Sequence, residues 1–176
     1  SMEAVLPVYE RGVCGLFYNR CVVAAVEALL ALLGKCGKLV ALEIGAGTGG
    51  TASSVLPVLK TACTCYHFTD VSEVFLRQAR MRFSDYDFVD YALLNIDAEP
   101  HLQGFASHEC DLLIAGNVLH LTPFIAKSLR HCSRLLRPGG LAAVHECQRP
   151  AAPIQLTFGM TDNWWHFGES QDAERV

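Results

Sequence analysis

The stretch Leu39-Val40-Ala41-Leu42-Glu43-Ile44, followed at once by Gly45-Ala46-Gly47-Thr48-Gly49-Gly50, constrains this chain more than any other. An apolar run that ends in closely spaced glycines, with Thr51 to Leu59 able to continue as a helix, is the strand-turn-helix opening of a parallel α/β sheet. From Lys38 onward short β-rich runs alternate with helix-period segments, which predicts βαβ units rather than a bundle or a sandwich. Strands are expected at residues 39–44, 64–69, 88–96, 110–115 and 141–146. Pro57 is expected to kink or shorten the helix after the glycines. Ser72 reads as the cap of a helix with Val74, Phe75 and Met81 on its apolar face. Thr122 reads as the cap of another, with Pro123 in its first turn, Phe124, Ile125, Leu129, Cys132, Leu135 and Leu136 as its buried stripe, and Arg137-Pro138-Gly139-Gly140 as its stop. Ahead of the sheet, Cys21 to Leu33 predicts a helix that ends at Gly34.

The chain's 176 residues, 51% hydrophobic and 18% charged, fit one domain with a core of its own. Residues 3–37 form its helical entry, 38–147 the ligand-binding core and 148–176 a substrate-side segment, while Ser1-Met2 reads as a tag remnant. A net charge of −4 without Lys/Arg runs argues against a nucleic-acid partner. The longest apolar run, Val22 to Leu33, is twelve residues with Glu27 inside it, short of the roughly 20 that span a bilayer, so no membrane partner is expected. None of the eight cysteines forms C-x-x-C, and Cys63-x-Cys65 lacks a second pair. A cytoplasmic domain without metal is the expectation.

The glycine loop literally matches G-x-G-x-x-G, so a dinucleotide is the first candidate ligand. Glu43 opposes it, because a carboxylate two residues before the first glycine repels a pyrophosphate and attracts a cation. S-adenosylmethionine carries an ammonium and a sulfonium, and its ribose needs an acidic residue at the end of the second strand, where Asp70 stands. The ligand set expected is Glu43, the loop residues Gly45, Ala46, Gly47 and Gly49, Asp70 with Val71, Asn95-Ile96-Asp97 toward the adenine, and Asn117-Val118 leaving the fourth strand. Each has a bland reading taken singly: a tight turn, a solvated strand end, an Asx turn, a polar strand terminus. Their placement at successive strand ends is what points to a nucleoside ligand.

Several stretches together carry a resemblance: Leu42 to Thr51, Tyr66-His67-Phe68-Thr69-Asp70-Val71-Ser72, Pro100 through Gln103-Gly104-Phe105, Asn117-Val118-Leu119-His120, Leu135 to Gly140, and Trp164-Trp165. In this order they resemble the C-methyltransferase domain of polyketide synthases. The resemblance implies a doubly wound, mostly parallel Rossmann-like sheet with helices on both faces. It implies α-methylation of a β-ketoacyl thioester on an acyl carrier protein, with other synthase domains as partners. It also implies a His-Glu pair at His120 and Glu146. Independent chemistry agrees, since a carbon between a ketone and a thioester is acidic enough for an imidazole oriented by a carboxylate. On that reading Glu146→Gln is expected to lose less than His120→Ala. Asn95 stands where the family usually has Asp, and Leu121 where a small residue is common. The N-terminal lid is expected to be missing, and the residues after Cys147 offer no convincing run for both strands of the family's final β-hairpin. A small-molecule O- or N-methyltransferase of the same fold, and a non-catalytic scaffold within a synthase, stay open as alternatives.

Overall fold

The structure, a computed structural model, describes residues 13–34 and 38–146. Five strands form one sheet, β1 (Leu39–Ile44), β2 (Cys63–Asp70), β3 (Val89–Leu93), β4 (Cys110–Gly116) and β5 (Leu136–His145), in the order β3-β2-β1-β4-β5. Every pairing among them is parallel. Among the described residues the α-helices are α1 (Val13–Leu33), α2 (Gly50–Leu59), α3 (Glu73–Arg82) and α4 (Ile125–Leu135). Chain order reverses between β1 and β4, so the carboxyl ends of those two strands flank the crevice where open sheets take ligands.

Alternation along β1 and β4 builds a core on each face. Leu39, Ala41, Leu112 and Ile114 pack with Val22 and Val26 of α1, Val55, Leu56 and Leu59 of α2, and Leu76 and Ala79 of α3. Leu42, Ile44, Leu113 and Ala115 pack with Cys132 and Leu135 of α4. The predicted α/β class, the five strands and helices on both faces are all present.

Several local expectations change. Helix α1 starts at Val13, eight residues before Cys21, and within it Gly15–Leu33 is 19 residues long with mean hydropathy 1.7. By length and composition that segment is long enough to cross a membrane, unlike the shorter run seen in the sequence, while Asn19, Val22 and Val26 are buried within this fold. Pro57 lies inside α2 without shortening it. In α3 the inward residues are Leu76 and Ala79, whereas Val74 and Met81 are 48% and 75% exposed. Both pairs fit a helical period, and only docking against Phe68 and Tyr91 of the sheet selects between them. Ser72 is at the N-cap position but makes no side-chain cap.

Strand β3 stops at Leu93 rather than continuing to Ile96, because Gln103 takes both the N–H and the C=O of Asn95 (2.8 and 2.9 Å). Helix α4 begins at Ile125, and Thr122 donates to Leu119 O at 2.7 Å, closing the 3-10 turn Leu119–Leu121 instead of capping α4. Phe124 and Leu129 are exposed, and Ser128 and His131 take their places on the inward face. His131 is tolerated there because its Nδ1 lies 2.7 Å from Ile96 O. Arg137 to Gly140 do not separate α4 from β5; they lie within β5, where the pairing with β4 skips from Leu136 to Leu141. Trp164-Trp165 and the segment expected to hold or lack the final hairpin lie outside the described residues.

Candidate active site

The glycine turn is bound into the sheet from below. Ala46 N–H donates to Thr69 O, Gly47 N–H to Asp70 Oδ2 and Gly49 N–H to Ala46 O, each at 2.9 Å. A loop that cradles phosphate turns its amides toward the ligand, whereas here those of Ala46 and Gly47 are spent on β2 and that of Gly49 on the turn itself. The dinucleotide reading of G-x-G-x-x-G therefore loses its usual anion contacts here. Gly45 has φ +60, and a Cβ on it would run into the side chain of Val118; one on Gly49, at φ +79, would come 2.7 Å from the Phe83 ring.

Asp70, at the carboxyl end of β2, commits one oxygen to Gly47 N–H and the other to Ser72 N–H, both at 2.9 Å. It thus ties the loop to the start of α3, and a carboxylate accepting two such bonds keeps lone pairs for a further donor. Burial still pushes its pKa upward. Glu43 is 3% exposed, with its Oε2 accepting the Tyr66 hydroxyl at 2.7 Å. Burial first, and the nearby Asp70 charge in addition, raise its pKa from 4.5 to about 8 against the lowering effect of the Tyr66 bond. The carboxylate expected to face a ligand's cation thus sits in the interior beneath the loop.

Val71 is exposed beside Asp70. Beyond β3, Asn95 Oδ1 accepts Asp97 N–H at 3.0 Å while Ile96 is buried, so this turn is held by its own side chain and by Gln103. On the other side of the crevice, Asn117 takes the left-handed backbone (φ +51) and donates its N–H to His145 O at 2.9 Å. The next two amides, Val118 and Leu119, both donate to Glu146 Oε1, at 3.0 and 2.7 Å. The second oxygen of Glu146 lies 2.6 Å from His120 Nδ1. The two residues paired in the sequence thus meet above the carboxyl ends of neighbouring strands β4 and β5.

Tyr66 and Gln103 escaped sequence reasoning as supports of the site. Tyr66 shares the alternation of Phe68, but which carboxylate it meets depends on the β1–β2 register that pairs Ala41 with Tyr66. His145 points away from Glu146, its ring stacked on Tyr18 of α1 at 5.3 Å and 3°. Among the described residues, no group of three or more His, Cys, Asp or Glu is arranged to hold a metal.

The fold and site define a doubly wound α/β domain with a ligand crevice at its switch point and a histidine-carboxylate pair on the crevice's rim. Comparison with known proteins makes the class specific. The "Methyltransferase domain" family model matches residues 42–142. Polyketide synthase ThaG of Burkholderia thailandensis is 39% identical over 174 residues, which is 97% of this chain and 3% of ThaG. The CurJ carbon methyltransferase structure superimposes with a TM-score of 0.92 at 35% identity, covering 96% of this chain and 45% of that one. The trans-methyltransferase CalH in complex with SAH superimposes with a TM-score of 0.75 at 33% identity over 90% of this chain and 46% of that one. This chain belongs to the methyltransferase domain family, and it spans under half the length of these solved relatives.

Proposed function

We propose that this domain transfers the methyl group of S-adenosylmethionine to the α-carbon of a β-ketoacyl thioester carried by an acyl carrier protein, as one domain of a cytoplasmic polyketide synthase. The observation that carries the reading is the contact of 2.6 Å between His120 Nδ1 and Glu146 Oε2 at the crevice. The synthase relatives and the carbon methyltransferase neighbours support the substrate class.

The residues at hand fit the cofactor. The loop amides offer little to a pyrophosphate, and Glu43, whose proton burial retains, would gain by ionising beside a cation and nothing beside an anion. Asp70 holds the loop and would take a ribose hydroxyl on its remaining lone pairs, Val71, Asn95, Ile96 and Asp97 would hold the adenine, and Asn117-Val118 would line the opposite wall. Glu146 accepts Nδ1–H of His120, so the lone pair is on Nε2, which takes the α-proton of the bound acyl chain. Glu146 then stabilises the imidazolium. When bound, S-adenosylmethionine would supply the electrophilic methyl to the resulting enolate carbon, its S–CH3 bond breaking as the C–C bond forms and S-adenosylhomocysteine leaving.

The test is single-turnover methylation of an acetoacetyl-loaded carrier protein, followed by intact mass. One added methyl, with loss of α-deuterium from a labelled substrate, is the expected result. Methylation only of small hydroxyl or amine acceptors would transfer the assignment to an O- or N-methyltransferase. Cofactor binding absent by calorimetry would leave a scaffold.

A further inference from the structure

The carboxylate of Glu146 is divided between two tasks. Its Oε1 is filled by Val118 N–H and Leu119 N–H (3.0 and 2.7 Å), and only Oε2 faces His120 Nδ1 (2.6 Å). The two amides converge where the left-handed Asn117 (φ +51) is followed by Val118 at φ −128 and ψ −36, a tight turn in the backbone. Successive amides in such a turn form a concave anion site, and here the anion comes from the protein itself. Thr122 Oγ1 and N–H both donate to Leu119 O, at 2.7 and 3.1 Å, which braces the turn on its far side.

We propose that the backbone nest at Asn117–Leu119 is a positioning device that sets the tautomer of His120, by fixing which atom of residue 146 faces the ring. This rests on the proposed role of His120 as proton acceptor, and it assigns the nest a part that the His-Glu pairing alone does not contain. Two N–H donors can be satisfied only by an acceptor. With Glu at 146 an acceptor is left over for the ring, which therefore carries its proton on Nδ1 and its lone pair on Nε2.

In a Glu146→Gln variant the side chain has one acceptor, and the nest claims it. Turning the amide over would bring its NH2 against two N–H donors and leave all of them unpaired, which a half-buried turn disfavours. The side-chain NH2 of the variant must then point at Nδ1, and it bonds only to a ring nitrogen bearing a lone pair. The proton moves to Nε2, the atom that has to receive the α-proton. The near-isosteric change thus removes the base, reversing the mild effect expected from its retained hydrogen bond. A simple truncation, Glu146→Ala, presents neither donor nor acceptor to Nδ1 and leaves the nest open to a small carboxylate.

Nitrogen-15 NMR of histidine-labelled protein, with His120 assigned by its loss in His120→Asn, reads the tautomer directly. The parent is expected to show the protonated ring nitrogen at Nδ1, and Glu146→Gln at Nε2. In single turnover, Glu146→Gln is expected to fall by roughly 10²–10⁴-fold, as far as His120→Ala. Added formate should restore part of the rate to Glu146→Ala and none to Glu146→Gln. A Glu146→Gln protein that keeps the proton on Nδ1, or rescue of both variants alike, overturns the proposal. If His120→Ala itself turns over at the parent rate, the base assignment fails, while the NMR result still decides what the nest does to the ring.

Discussion

The two walls of the crevice are built differently. On the β1–β2 wall two amides tie the glycine turn to β2 and a third closes it on itself, Asp70 bridges the turn to α3, and Glu43 and Tyr66 are buried and bonded to each other. On the β4–β5 wall the arrangement depends on one side chain. Glu146 gathers the Val118 and Leu119 amides and the His120 ring, and it stands just past β5, which among the described residues pairs only with β4. One wall is held by several separate contacts and, on the proposed reading, binds the cofactor, while the other hangs on a single side chain and carries the proposed chemistry. Binding and chemistry should therefore separate cleanly under mutation.

The sharpest separation is expected at His120. His120→Ala should lower single-turnover methylation by roughly 10²–10⁴-fold with nearly unchanged cofactor affinity by calorimetry. Parent-like turnover would reduce the pair to a structural contact. Asp70→Ala is the mirror experiment. Loss of its charge-assisted bonds should weaken cofactor binding by about 1.5–3 kcal/mol, with turnover at saturating cofactor close to the parent. Affinity equal to the parent's would remove Asp70 from the ligand site.

Gly45→Ala attacks the point where the walls touch. A methyl at φ +60 presses on the Val118 side chain, whose own amide holds Glu146. Strain and overpacking of about 1–3 kcal/mol should appear in thermal unfolding, with affinity and turnover both reduced. If only affinity falls, the walls are mechanically independent.

Per pH unit, the smallest effect is a slope on the binding wall. Native Glu43 keeps its proton up to about pH 8, whereas the unfolded chain releases it near 4.5. The native state therefore binds more protons between those values, and stability falls as pH rises through that window, by at most about 1.4 kcal/mol per unit. Above about pH 8 this contribution is gone. Denaturant midpoints of Glu43→Gln should lack that slope. A cationic ligand favours the carboxylate, so cofactor binding should release protons in the same window, seen as a buffer-dependent heat. A binding heat independent of buffer would place the ligand's cation away from Glu43.

Much of this protein was legible from local pattern. The apolar run into Gly45–Gly50, the buried runs of β2 and β4 and the helical stretches between them announce a parallel α/β sheet, because strand and helix periods and glycine turns are set by near neighbours. The spacing of Glu43, Asp70, Asn117, His120 and Glu146 also placed them at strand ends, since in a parallel sheet every carboxyl end lies on the same edge. Tertiary packing decided what those side chains touch. Glu43 turned to Tyr66 through the β1–β2 register, Leu76 and Ala79 rather than Val74 and Met81 faced the sheet, and Gln103 ended β3 by capturing Asn95. The division of Glu146 between two amides and one imidazole was invisible in sequence as well. It depends on a left-handed Asn117 and on residues 26 positions apart in chain lying side by side at neighbouring strand ends, and backbone amides carry no residue-specific signal from which such a contact can be read.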